Sequence, residues 1–154
     1  MRIPIPHFLL LSEAQASRDT EDDFEQDQGG RWRFVLESAD GSTVLEAEDA
    51  EADEDPDRLE LLSVVRGLEA LDEPSHVTLV TSSRYVNHGL RFGLAEWRDS
   101  GWQWERFGER VPIKNEDLWR RVDQALQFHA VDCRMWRIDR RHGEGEVGAS
   151  RMVR

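Results

Sequence analysis

From residue 57 to residue 71, DRLELLSVVRGLEAL, the apolar residues recur every three or four positions, placing Leu61, Val64, Val65, Leu68 and Leu71 on one stripe. A helix of that kind buries one face only, so it needs an apolar sheet to lie on. Three strand-like runs precede it. HFLLLS (7–12) is a continuous apolar run, as in a central strand. RWRFVLES (31–38) alternates Trp32, Phe34 and Leu36 with Arg31, Arg33, Val35 and Glu37, and Asp40-Gly41 predicts a hairpin into STVLEAE (42–48). The opening third therefore reads as an antiparallel meander. Asp57 is the expected helix cap, with Pro56 ending the strand before it.

VTLVT (77–81) is the next strand, and SRYVNHGL (83–90) a short helix. EDLWRRVDQALQFHA (116–130) is a second long helix capped by Asn115, with Leu118, Val122, Ala125, Leu126 and His129 on one face; CRMWRI (133–138) closes the series as a strand. Three strands, helix, strand, helices, strand is the order of a mixed α/β sheet covered by helices. The 154 residues imply one domain, 1–154. No run approaches the ~20 apolar residues of a membrane span. Pro4, Pro6 and the lack of a small-residue cleavage site argue against a signal peptide. The single Cys133 excludes an internal disulfide and a Cys-cluster metal site, which points to a reduced, cytoplasmic setting.

The net charge of −12 is uneven: residues 1–57 carry −13 and residues 58–154 carry +1. The acids crowd into the stretches 13–30 and 46–57, expected as solvated loops. The sharper alternative is an acidic lure for a basic protein partner, or a mimic of nucleic acid.

Several segments together resemble the ribonuclease H type 1 family. RLELLSVVRGLEAL is similar to its first helix, where an R-x-E-L run carries a metal-binding Glu, and VTLVTSSRYVNHGL to its fourth strand and second helix, normally T-D-S-x-Y-V. GWQWERFGERVPIKNEDLWRRVDQAL is similar to its G-W segment followed by V-K-N-x-D-L-W and a long helix; CRMWRI fits its last strand. The resemblance implies a five-stranded mixed sheet, its first three strands antiparallel, flanked by helices. It also implies a C-terminal helix, which the three glycines of GEGEVGASRMVR predict to be shortened or absent, in a short or poorly ordered tail 139–154.

Family enzymes cut the RNA strand of an RNA–DNA hybrid with four carboxylates that hold two Mg²⁺. Carried over position by position, only Glu60 remains of the four. Ser12 and Ser82 stand at two of the others, and Ala149 or Ser150 at the last. Glu13 beside Ser12 becomes a substitute acid if the first strand shifts by one residue. The catalytic-loop His falls near Arg140, with His142 a shifted candidate.

Two Mg²⁺ ~4 Å apart repel by roughly 17 kcal/mol even at an effective dielectric of 20. One carboxylate and two neutral hydroxyls do not offset that. Ser82 as an independent nucleophile needs an adjacent base, and the nearest in sequence are His76 and His88. Glu60 itself has a second reading, since Asp57 and Glu60 have the spacing of a capping box. For nucleic acid the resemblance offers Lys114, Asn115, Trp97 and Trp102, although both tryptophans also match the family's packing positions. Against binding, Glu54, Asp55 and Asp57 precede the first helix and residues 90–113 have no net charge.

The reading is thus a non-catalytic ribonuclease H-like domain that acts through an unidentified protein partner, with no cofactor and weak or no nucleic-acid binding. The alternative is an active ribonuclease H using Mg or Mn on Glu13, Glu60 and a tail acid, Asp139, Glu144 or Glu146. A third reading has the acidic loops bind a basic protein.

Overall fold

The computed structural model describes residues 4–16, 29–52, 55–138 and 150–153. Its strands are β1 (His7–Ala16), β2 (Gly30–Ser38), β3 (Val44–Glu51), β4 (His76–Thr81), β5 (Gln103–Arg106), β6 (Glu109–Pro112), β7 (Ala130–Ile138) and β8 (Ser150–Val153). The helices are α1 (Pro56–Glu69), α2 (Arg84–His88), α3 (Leu94–Asp99) and α4 (Glu116–Ala125), with one π-helical turn, Gly89–Gly93, joining α2 to α3. The main sheet has the order β3-β2-β1-β4-β7-β8. β1, β2 and β3 pair antiparallel, whereas β4 lies parallel to both β1 and β7. The five expected strands and the antiparallel opening are present.

α1 lies where the change of period puts it, and its stripe of Leu61, Val64, Val65 and Leu68 is buried. The sheet face beneath supplies Leu10, Trp32, Phe34, Leu36, Val77 and Leu79. Gly67 permits the close approach, because a Cβ there would sit 2.5 Å from Leu10 Cδ1. The β2–β3 turn is held by Asp40, whose carboxylate accepts from the Ser42 hydroxyl and amide and from the Ser38 hydroxyl; these bonds hold its pKa at about 2.

Several expectations need correction. Asp55, not Asp57, caps α1: its carboxylate accepts from the Asp57 N–H at 3.0 Å, and Pro56 fills the first helical position, where a missing N–H costs nothing. Asn115 precedes α4 without a side-chain cap bond; it has φ 57°, and its amide instead donates to the Tyr85 hydroxyl and accepts from Arg58. α4 stops at Ala125, so His129 is off the helix, yet it is buried and its Nδ1 accepts from the Ser75 N–H. The acidic stretches are partly strand: residues 13–16 belong to β1 and residues 46–51 to β3. β3 is an edge strand with both faces mostly wet, so its acids keep their water.

Two further strands, β5 and β6, form a hairpin that leaves no apolar alternation in the sequence, because all of its residues but the half-buried Val111 are exposed. The sheet also gains a sixth strand. β8 pairs antiparallel with β7 and begins at Ser150, opposite Ile138, where the family resemblance implies a C-terminal helix, expected here to be shortened or absent. The intervening residues 139–149, with Asp139, Arg140, His142, Glu144, Glu146 and Ala149, lie outside the described residues.

Candidate active site

Strand parity builds the site. In β1 the side chains of Leu10 and Ser12 are buried, while Leu11 and Glu13 between and beyond them are exposed. In β4, Val77, Leu79 and Thr81 point the same way as Leu10 and Ser12. The parallel β1–β4 register runs through Leu11 opposite Val80, so Ser12 and Thr81 meet just past it, at the C-terminal end of both strands. α1 delivers Glu60 to that point.

The Ser12 hydroxyl donates to Glu60 Oε1 at 2.8 Å, and the Thr81 hydroxyl donates to the same oxygen at 2.8 Å. Thr81 Oγ1 in turn accepts from the Ser83 N–H at 3.1 Å. Burial raises the Glu60 pKa above the usual carboxylate range; the Thr81 and Ser12 hydroxyls draw it back, and the charge of Glu13 adds a further push upward. With both hydroxyls bonded to it, Glu60 is not the fourth member of a capping box.

The structure brings Ser12 and Glu60 into contact, turns Glu13 away, and leaves Ser82 at the rim, one residue past Thr81 and without a bond to Glu60. Glu13 faces the other side of the sheet, 3.8 Å from Arg33, which also binds Glu46 at 2.8 Å. Ser82 is exposed at the strand end, while the ring of His76 lies beside His7 and that of His88 beside Phe92. Thr81 is the site residue that sequence reading missed. Its signal was parity, because it continues the buried series Val77, Leu79 one step before the more obvious serine.

Among the described residues no group of three His, Cys, Asp or Glu side chains could hold a metal ion. Among the described residues the donor set around Glu60 is one carboxylate and two neutral hydroxyls. Such a set does not fit a Mg²⁺ pair, which draws its binding energy from several carboxylates.

The other candidates are engaged within the fold. Lys114 Nζ lies 3.1 Å from Asp55 and 3.2 Å from Asp57, over the Tyr85 ring. Burial works against its charge, but the two carboxylates raise its pKa. Trp102 is buried with Arg120 over its ring, and Trp97 packs on Trp119 with ring centres 5.0 Å apart. Arg98 is bound to Asp123, and Arg110 donates to the Ser100 carbonyl.

The sequence pattern of the RNase H family matches residues 23–137. The chain belongs to the ribonuclease H family. Similar curated proteins include the ribonuclease H of Jannaschia sp. (strain CCS1), 37% identical over 130 residues that cover 81% of this chain and 79% of that one. The ribonuclease H of Rhodopirellula baltica is 34% identical over 118 residues, covering 77% and 75%. Among solved structures, LC9-RNase H1, a type 1 RNase H with the type 2 active-site motif, superposes with a TM-score of 0.70 at 24% identity, over 90% of this chain and 66% of that one. The foamy viral (PFV) RNase H domain gives 0.58 at 17% identity, over 94% and 84%. These structural likenesses establish the ribonuclease H-like fold. No helix among the described residues is long and apolar enough to cross a membrane.

The Glu60 environment predicts a pH signature. A buried carboxyl whose folded pKa is raised holds its proton more tightly folded than unfolded. Its contribution to stability therefore falls as pH rises from the ordinary glutamate value through the raised one. Glu60→Gln keeps an acceptor for both hydroxyls and removes the charge. Thermal melts should show the variant more stable than the parent at pH 7 by a few degrees, with the gap closing near pH 4. An equal gap at both pH values would refute the assignment.

Proposed function

We propose that this ribonuclease H family domain has lost two-ion hydrolysis and works as an interaction module. The observation that carries this reading is Glu60 Oε1, which accepts from two neutral hydroxyls, Ser12 at a position where the family resemblance expects a carboxylate and Thr81 beside Ser82 at another. Substrate contacts support it too. Lys114 is held by Asp55 and Asp57, whose carboxylates would meet the phosphates of an approaching hybrid. Hybrid affinity rests largely on phosphate neutralisation, so it is expected to be weak and strongly salt-dependent.

A second reading, an active ribonuclease H cutting RNA in RNA–DNA hybrids with Mg or Mn, is favoured by the relatives. Proteins 34–37% identical over three quarters or more of this chain bear the name Ribonuclease H. They support activity over its loss; the donor set supports the loss. For this reading Asp139, Glu144 or Glu146 would have to join Glu60, since Glu13 points away from it.

The test is cleavage of a labelled RNA–DNA hybrid in Mg²⁺ and in Mn²⁺, with the parent and Glu60→Gln side by side. The non-catalytic reading expects identical background from both. Turnover in the parent that disappears in Glu60→Gln would establish the enzyme instead.

A further inference from the structure

At the end of the molecule away from the Glu60 cleft, the C-termini of α1 and α4 border an open cavity of about 340 Å³. It lies beside the starts of β4 and β7, where the Ala130 N–H donates to the Ser75 carbonyl. That volume is at the lower end of the range, about 300–1,000 Å³, of pockets that bind small ligands. Apolar groups of Leu68, Leu71 and Ala125 line it, and Phe128 stands at it with 62% of its surface exposed. A phenyl ring so open to water is the kind of anchor that gains most when a partner covers it.

The charge of the cavity is one-sided. Glu69 lines it, but Arg121 neutralises Glu69 through paired contacts, including Nε to Oε2 at 3.0 Å. Asp72 and Glu73 are exposed acids beside it, and no cation among the described residues pairs with either side chain. His129 adds no positive charge, because its buried ring lowers its pKa and its Nδ1 already accepts the Ser75 N–H. The carbonyl ends of two helices, α1 and α4, converge on the same place and favour cations further.

We propose that this cavity docks a basic amphipathic segment of a partner protein, a large aliphatic side chain entering against Phe128 while neighbouring Lys or Arg groups meet Asp72 and Glu73. Apolar contact supplies the grip, and the acids supply sign and orientation. The inference rests on the interaction-module reading and gives that module a surface. Its binding test stands apart from catalysis, because hybrid cleavage is measured separately and the residues concerned are remote from Glu60.

The probe is a short fluorescent peptide of alternating Lys-Lys and Leu-Leu pairs, titrated into the full chain at physiological salt. Saturable binding is expected, weakened at least about tenfold by Asp72→Lys with Glu73→Lys and comparably by Phe128→Ser. These residues are exposed, so the variants should melt like the parent. Glu46→Lys with Glu48→Lys, on the distant β3, should change affinity less than about twofold. Amide shifts should cluster at residues 68–74 and 121–129. Equal weakening by the β3 variant, or equal binding of a peptide with Ser in place of Leu, would reduce the interaction to general acidity and overturn the proposal. So would shifts centred elsewhere or no saturable binding.

Discussion

Ser12→Asp combined with Ser82→Asp should turn the Glu60 cleft into a divalent-ion site and raise hybrid cleavage at least about a hundredfold over the parent, a barrier change of roughly 2.7 kcal/mol. Ser12 is buried and touches Glu60 Oε1, so the Ser12→Asp change sets a second carboxylate beside the first. Without metal, two such groups cannot both ionise cheaply, and the variant should lose about 3 kcal/mol of stability at neutral pH. Manganese should restore it. A ligand at a hundred times its dissociation constant stabilises the folded state by about 2.7 kcal/mol. Melting with and without Mn²⁺ therefore reports the new site independently of any turnover. A parent chain that itself binds two Mn²⁺ by calorimetry, or that cleaves as fast as the double variant, would end the non-catalytic reading.

The second large effect is structural. Trp119→Ala should destabilise the chain by about 3–5 kcal/mol, the usual cost of emptying a buried tryptophan site. Trp119 is fully buried, donates from Nε1 to the Tyr85 hydroxyl at 2.8 Å and lies between the rings of Tyr85 and Trp97. Gly89, in the π-helical turn, gives the indole its room: a Cβ there would lie 2.1 Å from Trp119 Cη2. Gly89→Ala should therefore cost about 1–3 kcal/mol or more by overpacking. With Trp119→Phe beside it, the combined loss should be smaller than the sum of the two single losses, because the smaller ring makes space for the methyl group. Denaturant melts of the four proteins would measure that coupling; strict additivity would show that the two residues do not share the space.

Much of this architecture was legible in the residues. The alternation in 31–38, the stripe of α1 and the run 77–81 each follow from burial on one face, which leaves a period in the sequence. The K-N-x-D-L-W run marked the packing of α4, whose Trp119 sits at the centre of it. The cap of α1 lies two residues before the one expected from the sequence, because Asp55 and Asp57 flank Pro56 with equal capping chemistry and only the chain path chooses between them. The β5–β6 hairpin left no trace, because strands wet on both faces need no pattern.

In the site, that positions 12 and 82 carry a hydroxyl and not a carboxylate is a matter of residue identity, fixed before folding. What those residues do was decided by tertiary structure. Whether Ser12 or Glu13 faces Glu60 depends on strand parity, and a shift of one residue exchanges every side chain between the two faces. The pairing of β1 with β2 and β4 makes that choice, sending Ser12 inward and Glu13 to Arg33. Thr81 joined the site for the same reason. Lys114 met Asp55 and Asp57 only because α1 and the start of α4 lie side by side, more than fifty residues apart in the chain. Composition sets which charges a protein owns; the distances between them, and so their pKa values and their partners, exist only once the sheet and helices have closed on one another.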